Sequence, residues 1–461
     1  MAQTINLSRS TKCYLSTVTS GWATSDTFRV NILNGYTFSQ DVATEVIGLN
    51  EAGDAPVRGQ RVFNTALNPA DFSITTYMRP YFSTNHNAVE KLLWEALVGA
   101  GPIDTNAVPS TTALTIDFEN SDVHELLKFY MYFELDTTTY RLDDAVINQA
   151  EIDFSIDGIA QITWSGQAAT INATTAPTTS LPVDAGALYI KNKLSSITLA
   201  DNAGTTPGTQ VVDFSVAKVA TAAHGLSNGT TYQVDVTVDG AAVQTVSWDP
   251  PVSSTNTDMI NAFNTQVQGA LMDIDGNGDL IVTSGTSGST SSILLADAAY
   301  VGTEFFAAQT SWTAINAATA GTGTAKAYSL AITGGSMTIS NNITFLTPEE
   351  LGVVNLAIGS FTGSRSVSGN VTAYLRTGSS NTGGLLTDMV SATSTITHDF
   401  DMIIGVGGLG NVPRVELEMR HAHLVIPAVS IEDVLSVNIG FTGLGEDITQ
   451  KDELEVRYIA Q

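Results

Sequence analysis

The residues best placed to do chemistry form one short run, Asp273-Ile-Asp-Gly-Asn-Gly-Asp279. Asp273, Asp275 and Asn277 put oxygen side chains at the first, third and fifth positions of a calcium loop. Gly278 takes the sharp-turn position, and Asp279 adds a further carboxylate. The position that should carry a bidentate Glu is Ser284. An Asp/Asn/Gly run between two ordered elements is equally a plain turn, so calcium binding and a structural turn both stand open. His421 and His423 are two apart on an alternating stretch and share a face. A pair of histidines is a weak ligand signal, and packed or exposed strand histidines explain it as well. Asp143-Asp144 and Glu349-Glu350 fall in turn-like sequence and read as solvated pairs. No nucleophile elbow, phosphate loop or zinc-ligand spacing occurs. Without a convergent nucleophile, base or metal set, the chain is expected not to be an enzyme and to need no cofactor, calcium aside.

Composition narrows the class further. The chain has 461 residues, Asp+Glu 46 against Lys+Arg 19, and a formal net charge of −27. Only 14% of residues are charged and 43% are hydrophobic, so it is expected to fold rather than behave as an acidic tail. Such a charge repels phosphates and argues against wrapping nucleic acid, though not against DNA passing nearby. Cys13 is the single cysteine, which excludes an intrachain disulfide and a cysteine metal cluster. No signal-peptide core and no membrane-length apolar run is expected.

The elements that would position any site come in two copies. Phe28-Arg-Val-Asn-Ile-Leu-Asn-Gly35 leads into Tyr36-Thr-Phe-Ser-Gln40, and Tyr328-Ser-Leu-Ala-Ile-Thr-Gly-Gly335 leads into Ser336-Met-Thr-Ile-Ser340. Both alternate apolar and polar residues, the mark of a half-buried strand. Phe72–Arg79 matches Gly369–Arg376, aligning Tyr77 with Tyr374, and a helical pattern follows each. In copy one that helix is expected behind an Asn87/Glu90 capping pattern, with Leu92, Leu93, Ala96 and Leu97 inward and Lys91 and Glu95 paired on a solvated face. In copy two Leu386, Met389 and Val390 are its inward residues. Ile152 to Trp164 puts its large apolar residues on one face, either as one strand bent at Gly158 or as a hairpin closed by Asp157-Gly158-Ile159. Glu151, Asp153 and Asp157 would then mark a wet acidic surface. Asp41–Gln60 shows no pattern and is expected to be a long irregular loop, either a mobile flap or a contact maker. Its charged residues Asp41, Glu45, Glu51, Asp54 and Arg58, with Arg61 just beyond, are the candidates for subunit contact.

These readings give a mainly β fold with flanking helices (α+β). Copy one spans 1–170 and an Ala/Thr/Pro-rich linker spans 171–187. Copy two spans 188–201 and 326–461, interrupted by a β-rich insert at 202–325. Within the insert, Gln233–Gly240 and Val243–Trp248 read as a strand pair around an Asp-Gly turn. Thr257–Gly269 reads as a helix burying Met259, Ile260, Phe263 and Val267.

Laid out this way, the chain resembles the tail tube proteins of long-tailed, non-contractile bacteriophages (siphophages), in the variant that fuses two tube domains. The resemblance rests on Asn50-Glu-Ala-Gly53 with Arg58-Gly59, Phe72–Tyr77, Ile147–Glu151 with Ile162–Gly166, and Tyr189–Leu194. Further on it rests on Ile332–Gly335, Asn341–Pro348 and Ile358–Gly363. It implies two tandem β-sandwich or half-barrel domains and homotrimeric rings that each mimic a hexamer. Inward strands would join into one barrel, and stacked rings would form a hollow tube. The tube would surround the tape measure protein, meet tail terminator and tail-tip proteins, and conduct DNA during genome ejection without binding it. Assembly in the host cytoplasm and residence in the virion tail, without membrane insertion, go with it. Glu151, Asp153 and Asp157 become candidates for an acidic lumen. Some members carry a C-terminal immunoglobulin-like domain. This sequence runs to Gln461 without one, so decoration is expected of the insert, projecting outward. The competing reading is another β-rich virion component, such as a fibre or a sheath-like protein. A fibre would show short repeats and a stalk pattern instead.

Overall fold

The computed structural model describes residues 10–48, 59–99, 106–118, 125–155, 157–182, 186–201, 206–214, 226–287, 290–297, 303–304, 312–321, 326–349, 354–391, 399–426, 428–430, 434–445 and 451–461. The fold is mainly β, with three short α-helices among these residues. Two compact units are present. One holds 1–198, 328–398 and 402–461; the other holds 199–327 and 399–401. Copy one and most of copy two lie in the first unit, while 199–201, 326–327 and 399–401 of copy two fall in the second.

Copy one supplies β1 (Thr11–Ser16), β2 (Thr27–Val30), β3 (Thr37–Gly48), β4 (Gln60–Tyr77), β5 (Phe129–Leu135), β6 (Thr138–Asp153) and β7 (Gln161–Ala168). Copy two supplies β8 (Ser196–Asp201), β9 (Lys326–Ser329), β10 (Ile332–Ser340), β11 (Ser366–Tyr374), β12 (Asp399–Val406), β13 (Arg414–Leu424), β14 (Ala428–Ser430) and β15 (Ser436–Leu444). The pairing scheme recurs. β1 lies between β2 and β5, and β8 pairs with β9 and β12. One sheet runs β3-β4-β7-β6 and the other β10-β11-β15, followed by β13 and β14 end to end. An antiparallel seam joins them. β6 pairs with β10 from Gln149↔Ser340 to Asp153↔Ser336, making one continuous sheet. Alternation sets its core face: Phe72, Ile74, Ile162, Trp164, Ile152, Met337, Ile339, Val371, Val437 and Ile439 are all buried.

Register defines the equivalence of the copies more finely than sequence does. Gly166 lies opposite Phe72, and a Cβ on it would sit 2.6 Å from the Phe72 ring. In copy two Gly369 lies opposite Phe441, and a Cβ on it would sit 2.4 Å from that ring. Since Phe72 corresponds to Gly369, Gly166 corresponds to Phe441, not to Gly443 as the Ser-Gly/Thr-Gly likeness suggests. The same ring-over-glycine pair is present twice with its members exchanged across the strands.

Several expectations change. The described part of Asp41–Gln60 is not irregular: β3 and β4 pair as far as Gly48↔Gln60, and 49–58 lie outside the described residues. Asp153↔Gln161 pairing makes Ile152–Trp164 a hairpin rather than a bent strand. Part of the expected linker, Thr170–Thr174, is a strand on the first half of β6, because Thr and Ile there suit an extended edge. Helix Lys91–Val98 lacks the capping pattern. His86–Ala88 is extended, and the Glu90 carboxylate accepts the Arg79 amide at 3.0 and 3.3 Å. Glu95 is buried, not solvated, and accepts the Asn106 and Ala107 amides. In copy two the helix Thr382–Ser391 buries Leu385 and Met389 and leaves Val390 exposed.

The core centres on Trp94, which meets Trp164 edge to face at 5.1 Å and donates to the Tyr458 hydroxyl at 2.8 Å. Tyr458 stands on the strand Glu455–Ile459, which pairs with β13, so one indole ties copy one to the last strand of the chain. The second unit has two sheets. One contains Pro207–Phe214, Ala270–Ile274, Leu280–Ser287 and Trp312–Ile315, the other Tyr232–Val238, Gln244–Trp248 and Ile293–Asp297. Its helix, Asn256–Asn264, begins with a Thr255/Asp258 capping box and buries Met259, Ile260 and Phe263 in a core of its own.

Two outcomes follow from this packing. Gly166→Val would drive a methyl group into the Val146 carbonyl and the Phe72 ring. It is expected to cost at least about 1–3 kcal/mol, read as a lower urea midpoint. Burial beside Tyr458 pushes the Glu90 carboxyl up from 4.5 to about 7, opposed by the Arg79 amide. A folded pKa above the unfolded one means that the stability from Glu90 is full below the unfolded pKa and lost as pH rises through about 7. Glu90→Gln should therefore melt progressively above the unsubstituted protein as pH is raised through that window, and a constant difference in Tm would contradict this.

Candidate assembly surfaces

The face of the continuous sheet opposite the core is a carpet of small polar groups. It carries Ser73 and Thr75 on β4, Thr163 and Ser165 on β7, Gln149 on β6, and Thr338 and Ser340 on β10. Ser368, Asn370 and Thr372 on β11 and Asn438 and Thr442 on β15 continue it. Each of these alternates with a buried neighbour or sits opposite one. Cross-strand hydrogen bonds knit them, Thr75 to Thr163 at 3.1 Å and Asn370 to Ser336 at 3.2 Å. Asp71, Glu151 and Asp153 are the charges on this face of β4, β6, β7, β10, β11 and β15, and no Lys or Arg stands at its described positions. Glu151 and Asp153 are exposed; Asp157 is exposed in the hairpin turn beyond the end of the wall. The arrangement offers water a hydrogen-bonding surface and offers a polyanion no cation.

Beyond Ala70↔Ala168, β4 leaves β7 and continues as an arm with β3. Residues 60–69 at strand spacing make this arm about 30 Å long. Asp41, Glu45 and Arg61 are exposed on its paired strands, Glu45 opposite Phe63 and Arg61 opposite Ile47. Glu51, Asp54 and Arg58 lie outside the described residues. Sequence reasoning missed the apolar part of this surface: Val42, Val46, Ile47, Val62 and Phe63 are all exposed on the arm. The corresponding segment of copy two makes a short hairpin, Thr344–Leu346 with Gly359–Phe361. From it Asn355 exchanges backbone hydrogen bonds with Thr65 and Leu67 at the base of the arm. Leu346, Leu356, Ile358 and Phe361 are exposed there. Apolar side chains concentrated on a projecting hairpin mark a surface that another protein covers.

The Asp273–Asp279 run is a β-hairpin turn between the strands Ala270–Ile274 and Leu280–Ser287. The Asp275 carboxylate accepts the Asn277 and Asp279 amides at 2.8 and 3.0 Å, and Asp273 accepts from Ile274. The bond from the Asp279 amide, then the other turn amides, hold Asp275 below the usual carboxylate range. Among the described residues no group of three or more His, Cys, Asp or Glu is arranged to hold a metal ion. His421 and His423 share a face of β13, both half-buried.

A β wall with no Lys or Arg at its described positions, beside an exposed apolar arm, suits a self-assembling structural protein. No family model matches the sequence. It is 25% identical over 458 residues to tail tube protein pb6 of Escherichia phage T5, a match covering 97% of this chain and 75% of that protein. This likeness supports a structural tail tube protein of the siphophage kind, a component of the virion tail. Among the described residues no helix is long and apolar enough to cross a membrane.

Joining Thr44 directly to its partner Asn64 through an Asn-Gly turn would remove the apolar end of the arm without disturbing the sheet. The shortened protein should be soluble and keep its melting temperature while forming no long tubes by electron microscopy. Normal tubes would show that the arm carries no assembly contact.

Proposed function

We propose that three chains close into a ring, each supplying two equivalent tube domains, and that rings stack through their arms into a hollow tube. Under this reading the hydroxyl and amide wall lines the bore. Glu151, Asp153 and Asp157 add negative charge to the lumen, and DNA passes because nothing on the wall exchanges for its counterions. The tape measure protein occupies the bore before DNA does, and tail terminator and tail-tip proteins cap the ends. The role is structural rather than catalytic, and no cofactor takes part.

The observation that carries this reading is the internal seam. One chain joins two copies of a sheet edge to edge, and repeating that head-to-tail operation yields a closed ring or an open filament. A closed ring leaves no unpaired edge. Residues 202–325, with a core of their own, fit a decoration module that projects from the outside of the tube, since matter placed in the bore would obstruct transit.

Electron microscopy tests both parts. The purified protein should form striated hollow tubes whose ring cross-sections contain three chains. Replacing residues 203–324 by a short Gly/Ser link should give thinner tubes of unchanged bore. Solid rods would overturn the tube reading, and loss of rings from a soluble deletion variant would make the insert an assembly element instead.

A further inference from the structure

The internal seam specifies how two chains meet, residue by residue. Among the described residues β3 pairs only with β4, and β14 only with β15. They are the outer edges of the continuous sheet, and each has a covered twin inside it. Through their pairing with β4 and β11, Thr37 and Phe38 correspond to Ser336 and Met337. Through their pairing with β7 and β15, Val429 and Ser430 correspond to Ile152 and Asp153. Inside the chain Met337 lies opposite Ile152, Ser336 lies opposite Asp153, and both apolar residues are fully buried. At the outer edge Val429, which occupies the place of Ile152, is 43% exposed, and its neighbours Val425 and Ile426 are exposed as well. The occupant missing from that edge is thus the counterpart of β10, which is the β3 of a second copy.

We propose, resting on the ring reading above, that β14 of one chain pairs antiparallel with β3 of the next, with Ser430 opposite Thr37 and Val429 opposite Phe38. The seam between chains would lack one feature of the internal one. Inside the chain the buried Asn341 side chain donates to the Leu97 and Ile147 carbonyls at 2.8 and 3.3 Å, and Asn148 takes the Asn341 and Ile343 amides. The two residues that follow Gln40 in copy one are Asp41 and Val42, and neither has a side-chain N–H to give. The joint between chains therefore has the strand pairing without the asparagine latch, and it is the joint at which rings come apart.

Cysteine cross-linking reads the register. Directly opposed residues bring Cβ atoms to about 5 Å, within reach of a disulfide, whereas a shift of two residues puts them about 7–8 Å apart, beyond it. The native Cys13 is buried and does not compete. Thr37→Cys with Ser430→Cys should give covalent dimers and trimers on oxidation of assembled protein. Ser39→Cys with Ser430→Cys, two residues out of register, should stay monomeric on a non-reducing gel. Microscopy of the same samples before oxidation separates the two levels of the argument. Rings or tubes in which the first pair fails to link, or the second links as well, overturn the register while leaving the ring intact. Absence of rings and tubes from the unsubstituted protein overturns the ring reading and this pairing with it.

Discussion

Edge-to-edge pairing of β6 with β10 is the constraint on which the first unit depends. A strand edge tolerates no slip of one residue, because that would turn Ile152 out of the core for Glu151, or Met337 out for Thr338. The seam thus fixes the relation of the two copies through backbone hydrogen bonds and two buried pairs, Ile152 with Met337 and Ala150 with Ile339. Trp94 reinforces it from behind the sheet, reaching Trp164 in copy one and Tyr458 beside copy two. The run of the polar face across both copies and the position of the two outer edges follow from this junction.

Exposed apolar residues are costly to leave in water, and their distribution is informative for that reason. Many stand on the β3–β4 arm, on the short hairpin beside its base, or along the β13–β14 edge. The wall between these places holds the opposite chemistry. Serine, threonine and asparagine at alternate positions keep it hydrated, with the exposed Tyr374 and Leu444 toward its ends and no Lys or Arg at its described positions. Exposed apolar and small polar side chains thus occupy different places on the same strands, separated along their length or across their faces.

Much of this was legible in the sequence where a strand has one wet and one dry face. Ile152–Trp164 and the two repeated strand pairs alternate because the core demands it, and the order of the repeated segments disclosed the duplication. The arm was not legible. Its sides face solvent, so Asp41–Gln60 carries no period-two signal and resembles an unstructured loop. Glu90 and Glu95 misled for another reason. A glutamate on a short helix is ordinarily solvated, and only the tertiary fold brings the amides of Arg79, Asn106 and Ala107 to their carboxylates. The acidic wall candidates Glu151 and Asp153 were placed on the wet face by alternation alone, whereas Asp157 escaped that logic because it sits in the turn, where alternation ends.

The exchanged ring-and-glycine pair also bears on heredity. Tandem copies in one reading frame invite recombination between them, which would delete or duplicate whole segments. A crossover falling between the β4 and β7 positions would join Phe72 to a segment carrying Phe441, or Gly369 to one carrying Gly166. The first product places two aromatic rings in a space shaped for one, and the second leaves two glycines and a hole. Either hybrid folds less well than its parents. A compensated swap of this kind insulates each half of the gene from its sibling, and so protects the duplication that the architecture requires.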